Sequence, residues 1–235
     1  LNRMTVSALM AGGSTWEIDD SNRHDLPEEY HELVEFSVLA SQKDPFDPVE
    51  MAISQLGERA LNDTEHLHDD WALEREYPLS AEMLALSHVW RSPDGREYVI
   101  AAKGAPEAIA DLCHLGEEGK AELWVHVDEL AARGLRLLGV ARASFTLDRL
   151  PGDQHDFVFD FLGLVGLEDP VRPGVSESIR ECYEAGIRVI MITGDYPGTA
   201  RHIARETGLR PDDLFITGPE LDDMDDDELR ERIRE

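Results

Sequence analysis

Lys103, Gly104, Ala105, Pro106 and Glu107 bring together a cation, a residue without a side chain and a helix-initiating proline. They follow an apolar, alternating run from Glu97 to Ala102 and precede a helical run from Glu107 to Leu115. A strand–turn–helix junction of this kind puts the Lys103 ammonium at a strand end, on the rim of a layer, where it can hold an anionic ligand. Gly104 lets a ligand approach the backbone. Pro106 suits the first turn of a helix, where a missing N–H costs nothing. A lysine at a strand end also serves as a solvated edge residue, so other groups must give it meaning. Thr193-Gly194-Asp195 is one such group, placed after the apolar run Val189-Ile190-Met191-Ile192. In open α/β sheets ligands bind at the carboxyl ends of strands. Thr193 there offers a hydroxyl and an N–H to a phosphoryl oxygen, and Gly194 permits close approach; Asp195 as a helix-entry cap is the alternative. In Asp169-Pro170-Val171-Arg172-Pro173 two prolines fix the chain direction. Its acid and base can pair, or can clamp a charged ligand.

The elements that carry these groups are legible in outline. Residues 1–18 read as two strands about the Gly12-Gly13 turn, and 19–27 as a polar loop. Leu33, Phe36, Val38 and Leu39 predict an amphipathic helix over Glu28–Gln42, and a second helix runs from Val49 to Leu61. Asn62 to Asp70 is an exposed loop. Met83–Trp90 and Arg96–Ala102 flank Ser92-Pro93-Asp94-Gly95, strong turn chemistry that predicts a hairpin. Helices at about 105–115 and 126–133 and a strand from Leu135 to Ser144 come next, then an apolar strand from Phe157 to Leu167. Beyond it the pattern alternates: helix 174–185, strand 188–192, helix 199–207, strand 214–217 and an acidic helix 221–234. Such alternation is the mark of a parallel sheet. The expected class is therefore α/β, an α+β unit followed by the start of a Rossmann-like unit.

The 235 residues leave room for two modest domains, and a hydrophobic content of 42% argues against disorder throughout. Fifty acids against 22 bases give a net charge of -28, which makes nucleic acid and anionic membranes poor partners. Two cysteines, Cys113 and Cys182, imply no disulfide framework and suit a reducing compartment. No stretch reaches the roughly 18–20 apolar residues of a membrane helix. The chain opens Leu1-Asn2-Arg3-Met4 and reads as a piece of a larger protein. His66, His68, Asp69 and Asp70 sit on the polar loop and read as solvated; Cys113-His114 reads as packing and capping. Asp222 to Glu228 reads as acids favoured at a helix start. No metal site is expected.

In order and spacing, three stretches together resemble the cytoplasmic region of cation-transporting P-type ATPases: Lys103-Gly104-Ala105-Pro106-Glu107, Asp169-Pro170-Val171-Arg172 and Met191 to Ala200. The resemblance spans nearly the whole chain. It implies a nucleotide-binding domain over 1–167, an antiparallel sheet with flanking helices. A truncated, haloacid-dehalogenase-like phosphorylation domain follows over 168–235. It implies that Tyr77 stacks on adenine, that Glu50 reaches the adenine amino group, that Lys103 and Gly104 line the pocket and that Arg136 approaches the phosphates. Thr193 would bind the transferring phosphoryl with Gly194 and Asp195 completing its loop, and Asp169 and Arg172 would form the hinge. The implied ligands are ATP and, in the whole protein, Mg²⁺. The implied partners are the missing phosphorylation-domain and transmembrane segments, on the cytoplasmic face of a membrane, with this piece a monomer.

The departures are as specific. The sequence holds no Asp-Lys-Thr-Gly-Thr phosphorylation motif and no Gly-Asp-Gly-x-x-Asp segment, so the piece alone is expected to bind nucleotide without catalysing its transfer. Glu82 stands where many members carry a second base. Two other classes remain to be weighed, a haloacid-dehalogenase-like phosphatase with a large cap and a non-enzymatic acidic interaction module. The first needs an Asp-x-Asp-x-Thr that is absent, and the second leaves the ordered motifs unexplained.

Overall fold

Strand alternation organises the first part of the molecule. The computed structural model describes residues 3–234 apart from 20, 23, 24, 63, 65, 69, 81, 93–97, 147, 148 and 210–214. The chain divides into two compact units, one of residues 1–130 and 135–170, the other of 131–134 and 171–235.

In the first unit β1 (Thr5–Ala11), β2 (Ser14–Glu17), β3 (Ala72–Tyr77), β4 (Ala85–Arg91), β5 (Tyr98–Gly104), β6 (Arg136–Phe145) and β7 (Asp160–Glu168) form one antiparallel sheet, ordered β2-β1-β7-β6-β5-β4-β3. The antiparallel sheet with flanking helices expected for this block is what the chain forms. The turn at Pro93-Asp94-Gly95 lies outside the described residues, but β4 and β5 pair from Arg91↔Tyr98 to Ala85↔Gly104, as a hairpin requires.

Directly opposed residues share a face, and the rows separate two cores. Val99 and Ala101 of β5 with Val140 of β6 belong to the first. Onto it pack α1 (His31–Leu39), preceded by a 3-10 turn, through Leu33, Val34 and Phe36, and α2 (Pro48–Ala60) through Ala52, Ile53 and Leu56. Leu33, Val34 and Ile53, each about 1% exposed, contribute about 1.5–3 kcal/mol apiece. Ile100 and Ala102 face the second core, with Tyr77, Phe157, Phe159 and with Ile109 and Leu112 of α3 (Pro106–Leu112). α4 (Glu117–Ala132) starts earlier than the sequence pattern suggested and buries Leu123, Val127, Leu130 and Ala131 at helical spacing.

The second unit contains α5 (Val175–Glu184), α6 (Pro197–Thr207), α7 (Gly218–Asp223) and α8 (Asp226–Arg234). The Ser176 hydroxyl donates to the Glu206 carbonyl across α5 and α6 at 3.2 Å. The strands expected at 188–192 and 214–217 do not form among the described residues; 187–195 and 215–217 carry no strand hydrogen-bond ladder. A strand exists only by pairing, and no strand of this unit is described for these segments to pair with. Ile187, Ile190 and Ile192 are consequently exposed, Ile192 at 94%. The acidic helix expected over 221–234 is two helices, broken at Met224-Asp225.

Candidate functional site

Lys103 belongs to the row Leu86–Lys103–Val140, so its side chain points toward α1 and α2. Its Nζ lies 2.7 Å from Glu50 Oε1 and donates to Ser41 Oγ at 2.7 Å. Lys103 is thus not a solvated edge residue; its side chain is 6% exposed and that of Glu50 13%. Burial is the largest influence on the ammonium and holds its pKa below the ordinary value, against the opposing pull of Glu50 and Asp47.

Local sequence places the partner. The Asp47 carboxylate caps α2 by accepting from Val49 N at 2.9 Å, and Pro48 opens the helix. Glu50 therefore falls in the first turn, where the helix dipole favours an anion. Glu50 Oε2 accepts from Gln42 N at 3.3 Å. Ser41, just beyond α1, donates its hydroxyl to the Ser37 carbonyl at 2.9 Å, which fixes the side chain Lys103 meets.

A cavity of about 430 Å³ opens beside this group, lined by Ser41, Gln42, Lys43, Asp44, Trp71, Leu73, Glu76 and Trp90. Leu73 and Trp90 are a cross-strand pair, as are Glu76 and His88, so one sheet face supplies the cavity floor. Leu39 O accepts from Trp90 Nε1 at 2.8 Å and from His88 Nδ1 at 3.1 Å, so the His88 proton sits on Nδ1. His88 is buried, and that burial pushes its pKa below the ordinary 6.5.

The structure brings Glu50 and Lys103 together and leaves Tyr77 apart. Tyr77 belongs to the row Tyr77–Ser87–Ala102, in the second core on the opposite face from Lys103. Its hydroxyl donates to the Pro151 carbonyl at 2.7 Å, and its ring meets Phe157 edge-on. Gly104 also has a different role from the one expected. A Cβ there would strike the Leu84 carbonyl and Ala85, so the glycine admits the neighbouring strand rather than a ligand. Arg136 heads β6 on the Lys103 face, exposed, about 13 Å along the strand from the position opposite Lys103.

In the second unit Thr193 and Asp195 bond each other across Gly194. Thr193 Oγ1 donates to Asp195 Oδ2 at 2.8 Å and accepts from Asp195 N at 3.0 Å. Asp195 is not the cap of α6; that position is Tyr196, without a side-chain cap bond. Asp169 and Arg172 bracket the boundary of the two units at Pro170 and Val171.

Sequence reasoning passed over Trp71, Trp90 and His88, and misread His66 and His68. The two histidines are not solvated. His66 Nδ1 lies 2.6 Å from Glu35 Oε2 and His68 Nε2 lies 2.7 Å from Glu35 Oε1, on a largely buried carboxylate of α1. Asp69 lies outside the described residues. Among the described residues no three His, Cys, Asp or Glu side chains are grouped to hold a metal ion. Among them, too, no helix is long and apolar enough to cross a membrane.

Residues 46–174 match the family model of the P-type ATPase cytoplasmic domain N. A sodium/potassium exporting P-type ATPase of Schizosaccharomyces pombe is 32% identical over 203 residues, 78% of this chain and 20% of that protein. A calcium-transporting ATPase of Bacillus subtilis is 26% identical over 97% of this chain and 30% of its own length. A plasma membrane-type calcium-transporting ATPase of Arabidopsis thaliana is 33% identical over 79% of this chain and 20% of its own length. The chain thus spans between a fifth and a third of the length of these relatives.

Proposed function

The chain belongs to the P-type ATPases as their cytoplasmic domain N, and we propose that it binds ATP in the cavity beside Lys103 and Glu50. The observation that carries this reading is the buried Lys103–Glu50 pair, bonded to Ser41 and Gln42 where these line a 430 Å³ cavity. Small-ligand sites are concave, largely apolar and furnished with few, well-placed polar groups. Here indoles and Leu73 supply the apolar walls, and Ser41, Gln42 and Glu76 supply polar groups, with the Lys103–Glu50 pair bonded behind Ser41 and Gln42. Arg136, on the same face at a strand end, would approach the phosphates as the resemblance implies, although the register sets it beyond Lys103 from the cavity. Tyr77 and Gly104 serve the site by packing its sheet.

In the whole protein ATP hydrolysis through an aspartyl phosphate would drive cation transport across a membrane, with Mg²⁺ accompanying the phosphates. The names of the relatives support a cation and differ on which one. We assign residues 168–235 to the start of a haloacid-dehalogenase-like phosphorylation domain. Thr193, with Gly194 and Asp195, would bind the phosphoryl group there, and Asp169 and Arg172 would form the hinge. The ordered motifs support this assignment. Preorganised donors of the Thr193 kind are the main resource of phosphoryl-transfer sites.

The test is a calorimetric ATP titration of the chain and of the double variant Lys103→Met/Glu50→Leu, which leaves no buried charge unpaired. Saturable binding that weakens at least tenfold in the variant supports the site. Equal affinity in both moves the nucleotide elsewhere.

A further inference from the structure

We propose that His88 and Glu76 form a proton-operated clasp: a proton taken up on His88 Nε2 draws the Glu76 carboxylate off the cavity wall and onto the imidazole. The clasp is independent of what ligand the cavity takes. The two residues are directly opposed on β4 and β3, in the row Glu76–His88–Ala101. Residues so opposed have Cβ atoms about 4.5–5.5 Å apart, so the sheet fixes the gap that the carboxylate must cross. Glu76 Oε1 lies 3.8 Å from His88 Nε2, beyond hydrogen-bond reach.

The other ring nitrogen accounts for the gap. Nδ1 donates to the Leu39 carbonyl at 3.1 Å, so in the neutral ring Nε2 carries no proton. A bare nitrogen and a carboxylate are both acceptors, and neither can bond the other. A proton on Nε2 turns the same pair into a charge-assisted hydrogen bond, of the class that closes to about 2.7–2.9 Å. The Leu39 bond stays, because an imidazolium donates from both nitrogens. Leu39 is also the last residue of α1, an end at which a cation is favoured. The His88 side chain is 6% exposed and that of Glu76 52%, so the acid is the partner that moves.

The surrounding groups set the working range. Burial is the largest influence on His88 and holds its pKa below the ordinary 6.5. The Leu39 carbonyl of α1, Glu76 on β3 and Glu50 on α2 pull the other way, while Lys103 on β5 adds to the effect of burial. The clasp therefore closes on the acid side of 6.5. Lys43 and Asp44, from the segment after α1, line the cavity with Glu76 and Trp90. Closure takes one carboxylate from that lining and so makes the charge of the cavity wall depend on pH.

The test follows the His88 ring nitrogens and the Glu76 carboxyl carbon of the whole chain by NMR, from pH about 8 to about 5, across the range where imidazoles titrate. Wild type is compared with Glu76→Gln and His88→Gln, each checked for an intact amide spectrum. Neutral His88 should carry its proton on Nδ1. The Glu76 resonance should step together with the His88 titration, and that step should vanish in His88→Gln. Glu76→Gln should move the His88 titration to lower pH. A histidine that only packs would titrate without carrying Glu76. A neutral ring protonated on Nε2 overturns the clasp. So does a Glu76 resonance indifferent to His88, a step that persists in His88→Gln, or a His88 titration unmoved in Glu76→Gln. Unfolding before His88 takes its proton also overturns it.

Discussion

Lys103 and Glu50 form the ion pair at which stability and the proposed binding meet. Both charges are largely out of water, so removing one leaves the other unpaired, at a cost of about 3–5 kcal/mol. Replacing both with apolar groups removes that penalty. Chemical denaturation should therefore find Lys103→Met destabilised by about 3 kcal/mol, with Glu50→Leu in the same chain restoring most of it while ATP affinity stays low. Restored affinity would deny the pair any role with the ligand. His88 gives a pH signature. Burial lowers its folded pKa, so between that value and its ordinary 6.5 the unfolded chain holds a proton that the folded chain does not. Stability must then fall as pH falls through that window. His88→Gln should flatten the loss seen as pH drops from about 7 to about 5; an unchanged slope would place its origin in other groups. Lys103 and Glu50 were legible from resemblance. Trp71 was not, because nothing in its neighbours announces a stack on His68 made possible by Glu35, far away in sequence.

At the scale of elements, the β4–β5 hairpin carries the site, and Gly104 is its tightest point. The glycine lies against the backbone of Leu84 and Ala85, which cannot yield as a flexible side chain would. Gly104→Ala should cost about 2 kcal/mol or more by forced strand displacement, measured as a lowered denaturation midpoint with an unchanged slope. A neutral effect would mean that β4 shifts freely. The helices and most strands of the first unit were readable because alternation and helical spacing are strong there. β3 was not picked out, since Ala-Leu-Glu-Arg-Glu-Tyr is charged and nearly all exposed. Charges of that kind guard the edge of a sheet and hide its pattern. The segment 188–192 shows the reverse failure. Its apolar run reads as a buried strand, yet sequence alone supplies no ladder partner, and the structure leaves it unpaired.

At the scale of the whole molecule, charge is the dominant feature. A chain of net charge -28 repels a nucleotide that is itself anionic, while the Lys103 group acts only at short range. Raising ionic strength from about 0.01 to about 0.15 M shortens the screening length from about 30 to about 8 Å. ATP affinity should then rise several-fold; a steep fall would mean that exposed bases dominate binding. Composition argued against nucleic acid as a partner but named no ligand. The proposed ligand came from ordered motifs, and the cavity proposed for it emerged only when β3, β4 and the end of α1 were assembled. The central claim is that this cavity is the nucleotide site, and an amide NMR titration with ATP tests it most directly. The account predicts saturable shifts centred on Ser41 to Asp44, Trp71, Glu76 and Lys103. Shifts confined to the opposite face, around Tyr77 and Phe157, or none at saturating ATP, would contradict it.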